Sequence, residues 1–417
     1  MDRLEVIASF DWLEKEETIG YLEHDTLRGA DIYSFEYSTK WVKDHPNVIL
    51  GKDLEMFYGK QYSGNNEIFG CFADCLPDHW GRTLIQLKKK QSAGEHGRMQ
   101  INLSDWEYLK GVEDSLRTGG FRFKNPLTGE YLNVSGENEV PPVLSLDELF
   151  EAAHEIEKNE LENKAIDNRW VERLLKPGSS VGGARPKACV TDETGLYIAK
   201  FPCSTDYYNV EKWEYFANKM AGQCGIHTTP TRLVKLKSGH DVFLSKRFDR
   251  TADGRRIHMS SALNLLGLTL KNRNDVRHSY SEIAELIIAH GTNVENSLRE
   301  LYRRVAFSII IGHSDDHLKN HSFLLTKKGW ELSPVYDINP SVYHTHCLLI
   351  DEASDESSLD RLYKAHEIYM LDEKTAFGII REMTRSFKYW EQTALKCNIS
   401  KEEMSVFRDR IEEGLQW

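Results

Sequence analysis

The chain has 417 residues, 40% of them hydrophobic and 28% charged, with a formal net charge of −12. That length exceeds one ordinary hydrophobic core, so two or three packed units are expected. The acidic balance argues against a large phosphate-backbone footprint on this chain alone, and no stretch approaches the ~20 apolar residues of a membrane span.

The start, Met1-Asp2-Arg3-Leu4-Glu5, lacks the basic-then-apolar build of a signal peptide, which makes the cytoplasm the expected location, with no membrane partner. Seven irregularly spaced cysteines do not suggest a disulfide framework. Cys71, Cys75 and His79 lack a fourth ligand at zinc spacing, and His344, His346 and Cys347 form another loose group.

Residues 1 to about 60 read as short strands, among them Leu4 to Ser9 and Ile32 to Tyr37. Pro77, followed by a Trp and Leu pattern, reads as a turn entering a helix, and Gly119-Gly120 as a turn into a strand. A boundary is expected near 134 to 144, where a polar run meets Pro141-Pro142. Ser145 with Glu148 predicts a capping box for an amphipathic helix running to about Lys164. From 178 to 250 the order is a glycine loop, a hairpin around Asp192 to Gly195, a helix over Val210 to Gln223, and a hairpin around Ser238-Gly239. After about 250 the chain reads as mostly helical. Leu298, Leu301, Tyr302, Val305, Ala306 and Ile309 share one face, a hairpin is expected around Lys327-Lys328-Gly329, and helices follow near 358 to 370, 374 to 396 and 400 to 415.

Four stretches could carry chemistry. In Ser179-Ser180-Val181-Gly182-Gly183-Ala184-Arg185-Pro186-Lys187 the glycines would let backbone N–H groups approach phosphates; the spacing is not that of a Walker A loop, and an ordinary glycine-rich turn is the plain alternative. Lys200 shares a strand face with Leu196 and Ile198, where a lysine is costly unless paired, either by phosphates and Glu214 on the next helix or by solvent at an edge. Ser245 to Arg250 would offer backbone groups to an adenine edge, or else be a surface salt-bridge cluster. The fourth stretch is the most telling. Asp315, Asn320 and Asp337 supply a carboxylate to receive a hydroxyl proton and an amide–carboxylate pair for magnesium, with His317 and Lys319 in the same turn. Its alternative is a solvated polar loop after a buried helix. Glycine loop, strand lysine, Asp-x4-Asn and metal Asp come in the order a phosphoryl-transfer enzyme needs.

Over nearly its whole length the sequence resembles the HipA family of bacterial serine/threonine kinases. The resemblance is carried by Phe35-Glu36-Tyr37, Leu76-Pro77-Asp78-His79-Trp80-Gly81-Arg82, Arg117 to Phe123, Ser180 to Lys187, Arg247-Phe248-Asp249-Arg250, Asp315 to Asn320 and Pro334 to Asp337. It implies an α+β, two-lobed, protein-kinase-like fold: an N-terminal subdomain over 1–140, a nucleotide-binding lobe over 145–250 and a helical catalytic lobe over 251–417. It implies ATP and Mg2+ as cofactors, Asp315 as base, Asn320 and Asp337 on magnesium, and Lys200 on the phosphates. Gly182, Gly183, Ala184, Arg185, Pro186 and Lys187 would cover ATP, and Lys246, Arg247 and Phe248 would face adenine. Ser180 matches the family's autophosphorylated serine, with Ser179 beside it. Lys246 stands where many relatives carry an acid. Family members are toxins held by a helix-turn-helix antitoxin, HipB, which is their only route to DNA. They phosphorylate a translation component, glutamyl-tRNA synthetase in the best-known case. A HipA-like kinase that is not a toxin, or a catalytically weak fold acting as a scaffold, are the competing expectations.

Overall fold

The structure is a computed structural model that describes residues 2–64, 67–92, 102–134, 140–162, 164–178, 180, 183–268 and 277–417. Two compact units emerge: residues 1–206 with 234–260, and residues 207–233 with 261–417. The stretches expected as N-terminal subdomain and nucleotide-binding lobe thus share one unit, except that residues 207–233 belong to the other.

The first unit holds two antiparallel sheets. In the five-stranded sheet Lys60–Tyr62, Ala30–Tyr37, Glu17–Leu27, Asp2–Ala8 and Phe121–Lys124 are neighbours in that order. Period-2 alternation sets its faces. Phe121 and Phe123 point inward against Phe72, while Arg122 between them reaches Asp114 and Glu16. The second sheet orders Lys187–Asp192, Gly195–Lys200, Asp241–Lys246 and Thr231–Lys235, and its last strand carries the chain back into this unit. One face is covered by the helices Leu146–Leu161 and Asn168–Gly178. Leu149, Phe150, Ile156, Val171 and Leu174 bury there against Val190, Tyr197, Ala199 and Leu244. Trp80 and Leu84, from the helix His79–Ser92, join the same core.

The expected capping box at Ser145 does not form. A 3-10 turn, Val143–Ser145, precedes the helix, and Ser145 sits at φ −88°, ψ 5°, without a side-chain cap bond. An N-cap needs extended backbone, as Ser400 has at φ −74°, ψ 160°, where a capping box with Glu403 does form.

The second unit is built round the 18-residue helix Val294–Ile311, whose last seven residues are all buried. Helices Tyr280–His290, Glu373–Phe387 and Lys401–Gly414 surround it. The last approaches closely because Gly414 has no side chain; a Cβ there would come within 2.7 Å of the Ile310 carbonyl. The helix Val210–Gln223 packs through Phe216 on Trp390 and through Trp213 on Phe407, with ring centroids 6.2 and 4.4 Å apart. A hairpin, Ser322–Thr326 with Gly329–Leu332, interrupts the helices as expected. Among the described residues no helix is long and apolar enough to cross a membrane.

Candidate active site

The proposed site residues fall in both units, and each half has its own geometry. In the first unit Lys187 and Lys200 stand directly opposite each other on neighbouring strands, and both are buried, at 5% and 9% exposure. Two like charges in register repel unless anions lie between or beside them. The Lys187 ammonium folds back over the glycine loop, so that a Cβ on Gly183 would come within 2.4 Å of its Nζ. Gly183 itself takes a positive φ of 96°, open to glycine and strained for other residues.

The loop is held from outside. Gly183 N–H donates to Asp78 Oδ2 at 2.9 Å, the Gly183 carbonyl accepts from Trp80 N–H at 3.2 Å, and the indole Nε1–H of Trp80 donates to the Lys187 carbonyl at 3.0 Å. Ser180 is buried, its carbonyl accepting from Thr118 Oγ1 at 3.3 Å and its hydroxyl 3.8 Å from Cys189 Sγ. Ser179 and Gly182, both expected here, lie outside the described residues.

Arg185 and Arg247, both expected at the nucleotide, have carboxylate partners within the unit. Arg185 grips Asp206 with both terminal nitrogens, at 2.6 and 2.7 Å. Arg247 is buried; its guanidinium bonds both Asp249 oxygens and the carbonyls of Leu116 and Arg117, and its N–H donates to the Leu196 carbonyl. Every guanidinium nitrogen of Arg247 is therefore spent inside the unit. The alternative reading of this stretch as a surface salt-bridge cluster does not hold, because the ion pairs of Asp249 with Arg247 and Arg250 are buried. Arg247 and Arg250 outweigh the cost of burial and hold Asp249 well below the usual carboxylate range. Lys246 and Phe248 are half-buried beside it.

In the second unit the helix Val294–Ile311 ends at Gly312, whose left-handed φ of 75° turns the chain into the acidic loop. The two neighbouring aspartates then part. Asp315 is exposed, while Asp316 is buried. Asp316 accepts from the Tyr280 hydroxyl at 2.7 Å and the Ser308 hydroxyl at 3.1 Å, and lies 2.9 Å from His321 Nε2. Burial alone would raise its pKa; His321, with His313 and Tyr280, outweighs that and holds it ionised far below its ordinary range. Asp315 is placed by its backbone: its carbonyl accepts from Asn320 Nδ2 at 3.1 Å, and its Oδ1 receives the Cys347 thiol at 3.7 Å. With the Asn320 nitrogen engaged in that bond, its Oδ1 is the atom suited to a hard cation. Asp337 follows with φ 57°, a left-handed backbone that Asp tolerates better than most residues, and Asn339 Nδ2 donates to its Oδ1 at 3.2 Å. The two segments are tied together: the Tyr336 hydroxyl bonds the Lys319 carbonyl, and His313 Nδ1 lies 3.1 Å from the Asn339 carbonyl. His317 has a buried Nδ1 without a hydrogen-bond partner among the described residues, and Glu214 is buried on its helix.

Magnesium fits this donor set. It takes oxygen ligands, few of them from protein, alongside water and phosphate, and Asn320 and Asp337 offer an amide and a carboxylate. Sequence reasoning missed two features, the anchoring role of Asp316 and the grip of Asp78 and Trp80 on the loop. The apolar run ending at Ile311 could have signalled the first, since a carboxylate just past a buried helix must find partners.

The fold is α+β, of the HipA-like kinase type. Over 99% of this chain and 96% of the other, it is similar to the HipA in a complex of the Shewanella oneidensis MR-1 toxin–antitoxin system HipA, HipB and operator DNA, with a TM-score of 0.68 at 17% identity. Residues 12–101 match the HipA N-terminal domain and residues 179–390 the HipA-like C-terminal domain. The chain belongs to the HipA family. Among relatives, it is 26% identical over 236 residues to a putative kinase of Haemophilus influenzae, covering 50% of this chain and 68% of that one. It is 28% identical over 217 residues to the putative kinase Y4dM of Sinorhizobium fredii, covering 47% and 52%. The match thus spans about half the length of the Sinorhizobium protein.

Proposed function

We propose that this protein is an ATP- and magnesium-dependent serine/threonine-protein kinase, the toxin of a type II pair. Its partners would be a HipB-like helix-turn-helix antitoxin, through which alone it meets DNA, and a translation component such as glutamyl-tRNA synthetase as substrate. The observation that carries the kinase reading is the division of labour between adjacent aspartates: Asp316 is locked into the core, and Asp315 is left exposed with its backbone fastened to Asn320. A base must be reachable by a substrate hydroxyl and held at a fixed place.

In this reading Asp315 receives the hydroxyl proton, Asn320 and Asp337 hold the metal, and Lys319 offsets charge developing on the transferred group. Lys200 and Lys187, which face each other on neighbouring strands, meet the phosphates, and Glu214 is the partner expected for Lys200. Gly183 and its neighbours cover the nucleotide, and the backbone of Lys246 to Phe248 serves adenine. Bound magnesium would neutralise phosphate charge. Ser180 is the proposed autophosphorylation site. Its hydroxyl is buried, so it can be modified only after the segment leaves its seat. A phosphate there, carrying about two charges, would keep it from returning.

Incubation with labelled ATP and magnesium, followed by phosphoamino-acid analysis, tests the activity. Phosphoserine or phosphothreonine that disappears with EDTA is expected; no incorporation under any divalent cation would remove the kinase reading. Growth arrest on induction, relieved by a co-expressed small helix-turn-helix protein encoded next door, tests the toxin role. Kinase activity without arrest would point to the non-toxin alternative.

A further inference from the structure

The turn Pro77–Trp80 belongs to the N-terminal segment, far in sequence from the glycine loop, yet it bonds the loop at both ends of its described part. The carbonyl of Asp78 begins the helix His79–Ser92 by accepting from Arg82 N–H at 2.8 Å. Its carboxylate takes the Gly183 N–H at 2.9 Å. In return Trp80 N–H, a first-turn amide with no partner inside its own helix, donates to the Gly183 carbonyl at 3.2 Å. One peptide of the loop is therefore gripped on both sides. Trp80 adds its indole N–H to the Lys187 carbonyl at 3.0 Å, at the loop's exit. The loop's entry is shaped to the same residues: a Cβ on Gly178 would come within 2.7 Å of Leu84 Cδ1 and 3.3 Å of Trp80 Nε1.

We infer that Asp78 and Trp80 are positioning residues for the nucleotide, a latch through which the N-terminal segment sets the affinity of the glycine loop for a nucleoside polyphosphate. The inference rests on the ATP site proposed above. Gly183 has a positive φ and a lysine ammonium in the space of its missing side chain, so nothing of its own fixes its peptide plane. The latch supplies that constraint. It also keeps Lys187 Nζ over the loop, because Trp80 holds the Lys187 backbone. Preorganisation of this kind appears in binding, since an unlatched loop must be ordered by the ligand itself.

The test is calorimetric titration of ADP with magnesium into the full chain and three variants, each checked by thermal melting. Asp78→Ala is expected to bind ADP about 10-fold more weakly, the usual worth of a hydrogen bond to a charged acceptor. Asp78→Asn keeps an acceptor for Gly183 N–H and is expected to stay within about 3-fold of the parent. Trp80→Phe keeps an aromatic ring in the core, loses the indole donor with part of the bicycle, and is expected to fall between them; it also serves if Asp78→Ala fails to fold. A purely structural role would lower the melting temperature and leave the ADP affinity of the folded protein unchanged, which would overturn the latch. Tighter binding by Asp78→Ala would also overturn it, showing that the carboxylate competes with phosphate for the loop amide. Absence of ADP binding by the parent protein would overturn the ATP site and the latch with it, whereas equal binding by parent and variants would overturn the latch alone.

Discussion

The acidic loop over residues 312–321 and the glycine loop that ends at Lys187 are anchored in different ways. The acidic loop is fixed from within its own unit: Asp316 sits on Tyr280 at the start of the helix Tyr280–His290, on Ser308 in the helix Val294–Ile311 and on His321 at the loop's own end. The glycine loop is fixed by a distant stretch of chain, the turn at Asp78 to Trp80. The first arrangement makes the position of Asp315 as stable as the core beneath it. The second makes the glycine loop answer to the N-terminal segment, where a substitution could reach it without touching Asp315.

The contrast can be broken at several points. Replacing either proposed magnesium ligand, Asn320→Ala or Asp337→Ala, is expected to cut phosphate transfer at least about 100-fold; higher magnesium should recover part of it in a rate assay, and an unchanged rate would remove the residue from the metal site. Asp316→Ala strips a buried charge partner from His321 and is expected to cost about 3–5 kcal/mol in urea unfolding. A variant as stable as the parent would show that the loop is not anchored there.

The pH dependence sharpens the comparison in the first unit. His258 is buried between Phe10 and Phe121 and accepts from Gly120 N–H on Nδ1 at 3.4 Å. Burial pushes its pKa down from 6.5 to about 3. The unfolded chain therefore binds a proton that the folded chain refuses between those two values. Stability is full above pH 6.5 and falls as the pH drops toward 3, by up to about 1.4 kcal/mol per pH unit. His258→Phe should flatten this slope in unfolding measured from pH 7 to pH 4; an unaltered slope would assign it to other groups. The smallest effect concerns helix starts: Ser400→Ala, which removes a formed capping box, should cost about 1 kcal/mol, and Ser145→Ala, which removes none, close to nothing.

Much of this was legible in the sequence. Both hairpins of the stretch from 178 to 250, the helix Val210–Gln223 and the hairpin over 322–332 lie where turn residues and periodicity put them, because short-range rules decide them. The strand Glu17–Leu27, the longest among the described residues, is not legible on its own, since its polar outer end hides its alternation. The expected helix over 374 to 396 is two helices, Glu373–Phe387 and Trp390–Lys396. Within the candidate site, residue types single out Asp315, Asn320 and Asp337 as an expected set. They could not tell which of two adjacent aspartates would be exposed, nor that Arg247 would spend its guanidinium on Asp249 and backbone carbonyls. Those outcomes depend on contacts between residues more than a hundred positions apart, or on which side of a turn meets the core. Neither is written in local pattern.

The central claim is that Asp315 does chemistry while its neighbour Asp316 holds structure. Phosphate transfer by Asp315→Ala, measured beside the parent with melting temperature and ADP affinity determined on the same samples, tests it most directly. The expected result is a protein that melts and binds ADP like the parent and transfers phosphate about 100- to 10,000-fold more slowly, the range for loss of a general base. Transfer at the parent's rate by a folded Asp315→Ala would contradict the account.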